Sequence, residues 1–220
     1  MDPVEEAKKR QHSILRQVQG ELLKNLGKAP TLAPYTPTPQ GILDKVLEFA
    51  HVGQGDVVYD IGCGDGRLLC SAAEKFGTKG LGWDIEPAAI EDARKLIASK
   101  AGVLGHLVEV RCEDITKPEI VAGVDWQAVT VVVMYLSIQG NLTMRPIVLK
   151  NVKKGTRVVT VQFGMGDWQP KEKCIVPYEG HHKDSAGIPL FYYEVDDEAQ
   201  NYRDTDEREL REWTMKVSAS

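Results

Sequence analysis

The chain has 220 residues, 42% of them hydrophobic and 27% charged, with a formal net charge of −5, proportions that fit one globular domain of up to ~200 residues plus some extra segments. Its longest uninterrupted apolar run, Val131 to Leu136, falls far short of the ~18 residues that suggest a membrane span. The acidic balance argues against a large nucleic-acid footprint, which needs a basic face.

In chain order, residues 4–26 place Ile14, Val18, Leu22 and Leu26 four apart, with Leu15 beside them and Leu23 at the edge. This spacing predicts a helix with one apolar stripe and Lys9, Arg16 and Lys24 opposite it, a stripe that packs on the core or on a partner. Asp2, Glu5 and Glu6 come early and no apolar segment follows them, so no secretory signal is expected, and the acids disfavour a mitochondrial presequence. "GKAPTLAPYTPTPQG", Gly27 to Gly41, holds four prolines and reads as an extended segment crossing a surface.

A short helix is predicted over Ile42 to Ala50, then a strand over Val57 to Asp60 and a helix from Gly66 to Phe76, ended by Gly77. A strand over Gly80 to Ile85 leads to a helix from Pro87 to Lys100, with the proline suited to a first turn. Strands follow over Leu107 to Cys112 and Thr130 to Leu136, the second apolar enough to be buried on both faces. A helix around Asn141 to Val152, a strand over Arg157 to Phe163, and an antiparallel pair made by "CIVPY" and "LFYYEV" complete the series. Between Glu194 and Glu212 lie nine acidic against three basic residues, which reads as a solvated tail or as an acidic lip for a basic protein substrate. The alternation predicts an α/β fold whose mostly parallel sheet is covered on both sides, with ligands bound beyond the carboxyl ends of the strands.

The first strand and its turn, "VVYDIGCGDGRLL", put Gly62, Gly64 and Gly66 directly after a strand that ends in Asp60. A dinucleotide turn would read G-x-G-x-x-G with its third glycine at position 67, which here is Arg67, and it would remain apolar where Asp60 stands. S-adenosylmethionine fits better, since its ammonium can be met by Asp60 and its carboxylate by amides at the start of the following helix. Gly62 and Gly64 let the backbone approach such a ligand closely. Asp84, 22 residues after Gly62, can accept from ribose hydroxyls, and Asp114 from the adenine amino group, with Ile85 and Ile115 sandwiching the ring. An ordinary turn or helix cap explains any one of these acids, but not all three at successive strand tips.

"VVYDIGCGDGR", "GLGWDIEP" and "RCEDI" resemble the cofactor motifs of class I, Rossmann-like S-adenosylmethionine methyltransferases. "PYTPTP", "MYLSIQGNLTMRP" and "GTRVVTVQFGMGDWQP" resemble a narrower family, which contains uncharacterised bacterial methyltransferases and the eukaryotic lysine methyltransferases acting on the ATP synthase c subunit and the adenine nucleotide translocase. A looser likeness to the Rossmann-like histone lysine methyltransferases without a SET domain is visible in the helix-then-"GTRVV" stretch. The resemblance spans about Ala33 to Glu172. It implies a Rossmann-like class I methyltransferase with a seven-stranded, mostly parallel sheet, an antiparallel C-terminal hairpin and helices on both faces. The expected organisation is an N-terminal helix and Pro-rich site segment at 1–38, an S-adenosylmethionine-binding methyltransferase domain at 39–200, and an acidic tail at 201–220. It implies S-adenosyl-L-methionine as cofactor, with Tyr35, Thr36, Asp65, Gly66 and Tyr135 joining the residues above in the cofactor site. The mitochondrial members have an N-terminal membrane-associated segment, and this chain shows only a charged amphipathic helix.

The methyl acceptor is read from the pocket. Adenine methyltransferases resemble one another in an N-P-P-Y turn where this chain has "MYLS", and cytosine chemistry wants a cysteine on a loop that has none before Cys174. A protein lysine is the expected acceptor, since an apolar, aromatic channel favours its neutral form, and Tyr35 and Tyr135 are candidates for the walls. Small molecules or RNA are the alternatives on the same fold, as is a non-catalytic binding protein. Trp168 lines the acceptor entrance or anchors its loop, and His181 and His182 read as solvent-facing. Cys63, Cys70, Cys112 and Cys174 lack metal-binding spacing and read as reduced thiols, so no metal site is expected. The expected location is cytoplasmic, with a mitochondrial one left open.

Overall fold

The computed structural model describes Leu32, residues 40–177 and residues 187–199. The expected N-terminal helix, Tyr35, Thr36, the histidine pair and the acidic tail beyond residue 199 lie outside the described residues.

Helix α1 (Gln40–Phe49) leads to β1 (Val57–Ile61), α2 (Arg67–Phe76), β2 (Lys79–Asp84), α3 (Pro87–Ser99) and a short α4 (Ala101–Leu104). Strand β3 (Val108–Cys112), α5 (Pro118–Ala122), β4 (Val131–Met134), α6 (Ile138–Asn151) and β5 (Arg157–Val161) follow, and β6 (Glu172–Val176) and β7 (Ile188–Glu194) close the series. The seven strands form one sheet in the order β3-β2-β1-β4-β5-β7-β6. The first five in that order run parallel to one another, while β7 runs antiparallel to both β5 and β6.

Alternation within the strands builds two cores. On one face Val58, Val131, Val133 and Val159 pack under α1, α2 and α3 through Leu43, Leu47, Leu69 and Ile90. On the other, Tyr59, Ile61, Val132 and Met134 meet α6 through Met144, Val148 and Leu149. This second core includes Tyr59, Trp83 and Trp126, with Trp83 and Trp126 stacked at 6.2 Å and Tyr59 edge-on to Trp83 at 5.2 Å. At the amino ends of the strands Arg157 pairs with the partly buried carboxylate of Asp56, which also accepts from Thr130 Oγ1 at 2.7 Å. That knot ties β1, β4 and β5 together at the foot of the sheet, away from the carboxyl tips.

Within the described residues the predicted helices and strands form, and their differences lie mostly at the ends. Strand β4 stops at Met134 and β5 at Val161, earlier than expected. The apolar character of Tyr135 and Leu136 continues past the ladder, and Gln162 turns into a left-handed conformation (φ 70). Helix α6 starts three residues before the expected Asn141, because Ser137 caps it by accepting from the Gly140 amide at 3.0 Å. Short α4 and α5 were not expected, and hydrophobic periodicity is uninformative over four or five residues.

Candidate functional site

The chain leaves β1 through three glycines that all adopt positive φ: 81 at Gly62, 53 at Gly64 and 71 at Gly66. A β-carbon at Gly62 would stand 2.8 Å from Leu136 Cδ2, and one at Gly66 would stand 3.2 Å from the Ala93 methyl. Conformation and space therefore both demand glycine here. The amides of Gly62 and Cys63 donate to the Trp83 carbonyl at 2.8 and 3.0 Å, fastening the turn to the tip of β2. Gly66 precedes α2 in a left-handed conformation and brings no side chain to cap it, so the first-turn amides of α2 suit an anionic group.

Three carboxylates stand around this turn. Asp84, at the tip of β2, accepts from the Gly64 amide through Oδ2 and from the Glu86 amide through Oδ1, both at 2.9 Å, so it braces the glycine turn against the start of α3. Asp65 is forked by Arg67, whose Nε lies 2.8 and 2.9 Å from its two oxygens. Partial burial works against the Asp65 charge, but hydrogen bonds and the positive charge of Arg67 outweigh it and hold the carboxyl below its usual range. Asp60 is different. Only 6% of it is exposed, and among the described residues it has no hydrogen-bond or ion-pair partner. Burial, and then the charges of Asp84 and Asp65, push its carboxyl up to about 7. A buried acid beside two further acids, with one guanidinium already committed to Asp65, makes a place that favours a cation.

Asp114 lies just past β3, beside the β2 tip, where the Glu113 amide donates to the Asp84 carbonyl at 3.1 Å. Its Oδ1 is occupied by the Thr116 amide at 3.0 Å and the Thr116 hydroxyl at 2.6 Å. The two isoleucines differ in setting: Ile85 is 47% exposed next to Asp84, whereas Ile115 is 2% exposed and belongs to the second core. Ile85 thus offers a free apolar surface and Ile115 supports the wall from behind.

On the other side of the glycine turn, Met134 pairs with Ile61 in register, so Tyr135 and Leu136 emerge alongside Gly62. The Tyr135 hydroxyl donates to Gln162 Oε1 at 2.8 Å, linking the tips of β4 and β5. Ser137 donates through its hydroxyl (2.7 Å) and its amide (3.2 Å) to the Leu32 carbonyl, anchoring Leu32 at the start of α6. Trp168 is buried against Tyr193 at 4.7 Å, so it anchors its loop from the core side.

Sequence reasoning did not single out Gln162, Asn141 or Arg145. Asn141 and Arg145, one turn apart on α6, reach the loop after β5. Asn141 Nδ2 donates to the Phe163 carbonyl at 2.8 Å and Arg145 to the Met165 carbonyl at 2.7 Å, and Arg145 also pairs with Asp167 at 2.5 Å. Both are buried, and two large polar residues four apart on a helix face that otherwise carries Met144, Val148 and Leu149 was the available signal. Among the described residues no group of three or more His, Cys, Asp or Glu is arranged to hold a metal ion, and no helix is long and apolar enough to cross a membrane.

Comparison with known proteins places relatives on this geometry. The family described as the ANTKMT methyltransferase domain matches residues 60–172. A protein-lysine N-methyltransferase of Saccharolobus islandicus (strain REY15A) is 40% identical over 144 residues, covering 63% of this chain and 82% of the relative. The crystal structure of an RNA methyltransferase from Salinibacter ruber, in complex with S-adenosyl-L-homocysteine, superposes with a TM-score of 0.62 at 36% identity, covering 74% of this chain and 95% of that one. The precorrin 8W decarboxylase structure from Methanobacterium thermoautotrophicum shares the fold at 18% identity and a TM-score of 0.55, covering 72% of this chain and 91% of that one.

Proposed function

The chain belongs to the ANTKMT methyltransferase domain family and is a methyltransferase, and from that premise we propose that it uses S-adenosylmethionine to methylate lysine side chains of proteins. The observation that carries the cofactor reading is Asp60, a buried carboxylate with no cationic partner among the described residues, near the start of α2, where Gly66 brings no capping side chain. An amino acid's ammonium and carboxylate match that pair, and a pyrophosphate would be repelled by the three acids. Asp84 retains lone pairs for ribose hydroxyls while bracing the turn, and Ile85 and Asp114 flank the position of a base.

The cofactor supplies a methyl group made electrophilic by a sulfonium, so the chain's task is to bind, to orient and to exclude water. Tyr135, half-buried beside Gly62, supplies an aromatic wall at the transfer end. An apolar and aromatic surround lowers the pKa of an entering lysine toward the neutral, attacking form. The lysine reading is supported by the Saccharolobus relative, and the net charge of −5 suits a basic protein partner better than a polyanion. The name of the Salinibacter structure makes RNA the competing acceptor. The test is to incubate the protein with methyl-labelled cofactor and a cell lysate, fractionate, and locate the label by mass spectrometry. Methyl groups on lysines of a few proteins are the expected result, and label confined to RNA or metabolites rejects the acceptor.

Asp60 gives a second, acceptor-independent expectation. In the free protein its carboxyl sits at about 7, far above the ordinary 3.8, so below pH 7 it is protonated and an arriving ammonium must expel that proton. Cofactor affinity is therefore expected to fall about tenfold per pH unit as pH drops below 7 and to level off above it, with proton release on binding. Titration calorimetry at several pH values in buffers of different ionisation enthalpy measures both. Asp60→Asn should bind weakly with no such slope, and an unchanged slope in that variant removes the assignment.

A further inference from the structure

We propose that the outer edge of β6 pairs with the same edge of a second copy of this chain, antiparallel about a twofold axis at Cys174, so that the two sheets become continuous.

Strand β6 is the last in the sheet, and the hydrogen bonds around β7 assign its backbone groups to one side or the other. The Pro189 carbonyl accepts from the Gln162 amide at 2.8 Å and so faces β5, while the Tyr192 carbonyl accepts from the Lys171 amide at 2.8 Å and faces β6. Direction alternates along an antiparallel ladder, so Ile188, Leu190 and Tyr192 address β6. Their partners in register, Val176, Cys174 and Glu172, point back at β7. Lys173 and Ile175 therefore turn their amides and carbonyls outward, and among the described residues nothing meets those groups. The row of outward amides stops at both ends, because Lys171 spends its amide on Tyr192 and Pro177 has none.

Two outward residues separated by one make a self-complementary edge. With Cys174 on the axis, Lys173 of each copy faces Ile175 of the other, and each such pair exchanges two hydrogen bonds. Every outward amide and carbonyl of Lys173 and Ile175 is then used. An in-phase shift of the register sets one of these residues opposite Lys171 or Pro177, neither of which has an amide to return.

The side chains match in the same register. Lys173 and Ile175 lie on the α6 side of the sheet, beside Phe191 and Pro189 of β7. Ile175 is 57% exposed, one of two large apolar side chains so open among the described residues. The Lys173 ammonium is drawn over the Phe191 ring, 5.6 Å from its centroid, which leaves the aliphatic stem at the rim. In the paired edge that stem covers Ile175 of the other copy, so apolar surface left open in one chain closes in two. Any extended strand meets the outward backbone groups, but a copy of this one also brings the lysine stem and ends where the outward amides end. The opposite rim has another character: on β3, Glu109 and Arg111 hold an exposed ion pair at 2.7 Å, and such charges discourage strand addition.

A five-residue edge buries less than a standard interface, so the association should be of micromolar strength. Sedimentation of the full chain over a wide range of concentration is expected to show a monomer–dimer equilibrium. Across the axis the two Cys174 residues form a non-hydrogen-bonded pair, whose α-carbons stand ~4.5 Å apart, so a short bismaleimide should join Cys174 to Cys174 in a linked peptide identified by mass spectrometry. Ile175→Pro removes an outward amide and none that β7 uses, so it should hold the melting temperature within a few degrees while weakening dimerisation about tenfold or more. Ile175→Lys leaves the backbone intact and crowds two ammonium groups; it should weaken the dimer as much, and it serves if the proline variant does not fold. Cys174→Ser should lose the cross-link and keep the dimer. A chain that stays monomeric at every concentration overturns the proposal, as does a dimer that withstands the Ile175 substitutions or yields no Cys174–Cys174 link.

Discussion

Asp84→Ala is expected to weaken S-adenosylmethionine binding about a hundredfold or more. Hydrogen bonds to a charged group contribute roughly 1.5–3 kcal/mol each, and this carboxylate is asked for two kinds at once. Inside the protein its oxygens take the amides of Gly64 and Glu86, both at 2.9 Å, and so hold the glycine turn to the start of α3. In the proposed cofactor site the same oxygens would offer their other lone pairs to the ribose. Alanine removes the ligand contacts and releases Gly64, whose φ of 53 suits the braced turn. Asp84→Asn keeps one acceptor oxygen and should fall between the two. Titration calorimetry with cofactor reads the effect, and an Asp84→Ala protein that binds with wild-type affinity removes the ribose assignment.

Gly140→Ala is the second large effect, and it should separate activity from stability. A methyl at Gly140 would stand 2.1 Å from the Leu32 carbonyl oxygen and 2.9 Å from its carbon, contacts that only a displaced backbone can relieve. Leu32 is also where Ser137 donates twice, so the displacement breaks both of those bonds. Tyr35 and Thr36, the cofactor-site residues proposed from the sequence, follow Leu32 in the chain, and a displacement of about 1 Å at a site can cost on the order of a hundredfold in rate. Alanine favours helix over glycine by up to ~1 kcal/mol, which offsets part of the lost anchoring, so the melting temperature should move by only a few degrees. Transfer rates and hydrogen exchange at the Ser137 amide measure the two sides. A Gly140→Ala enzyme with wild-type turnover would show that the Leu32 anchor is irrelevant to transfer.

What could be read from the chain and what could not divide along a physical line. Strand and helix order was legible because short apolar runs bounded by turns and the 3.6-residue period are local signals, Val57 to Ile61 being such a run, buried along most of its length, and Pro87 to Ser99 carrying the helical period. The glycine turn was legible because positive φ at Gly62, Gly64 and Gly66 excludes other residues. The settings of the acids were not. That Asp65 is neutralised by Arg67 while Asp60 has no cationic partner among the described residues depends on side-chain directions that spacing does not encode. Gln162 escaped notice for the same reason, since nothing local distinguishes it from any polar residue at a strand end. The placement of β7 between β5 and β6 was also invisible, because the antiparallel pairing of the last two strands is the same whichever of them borders β5.

That placement has a consequence for biosynthesis. Translation emits β6 before β7, yet β7 lies between β6 and the rest of the sheet. A nascent chain that has emerged as far as Val176 therefore carries a segment with no ladder to join, and Ile175, 57% exposed even in the finished fold, adds apolar surface to it. The rim of the sheet is assembled out of chain order, and its completion waits for the ribosome to deliver Glu194.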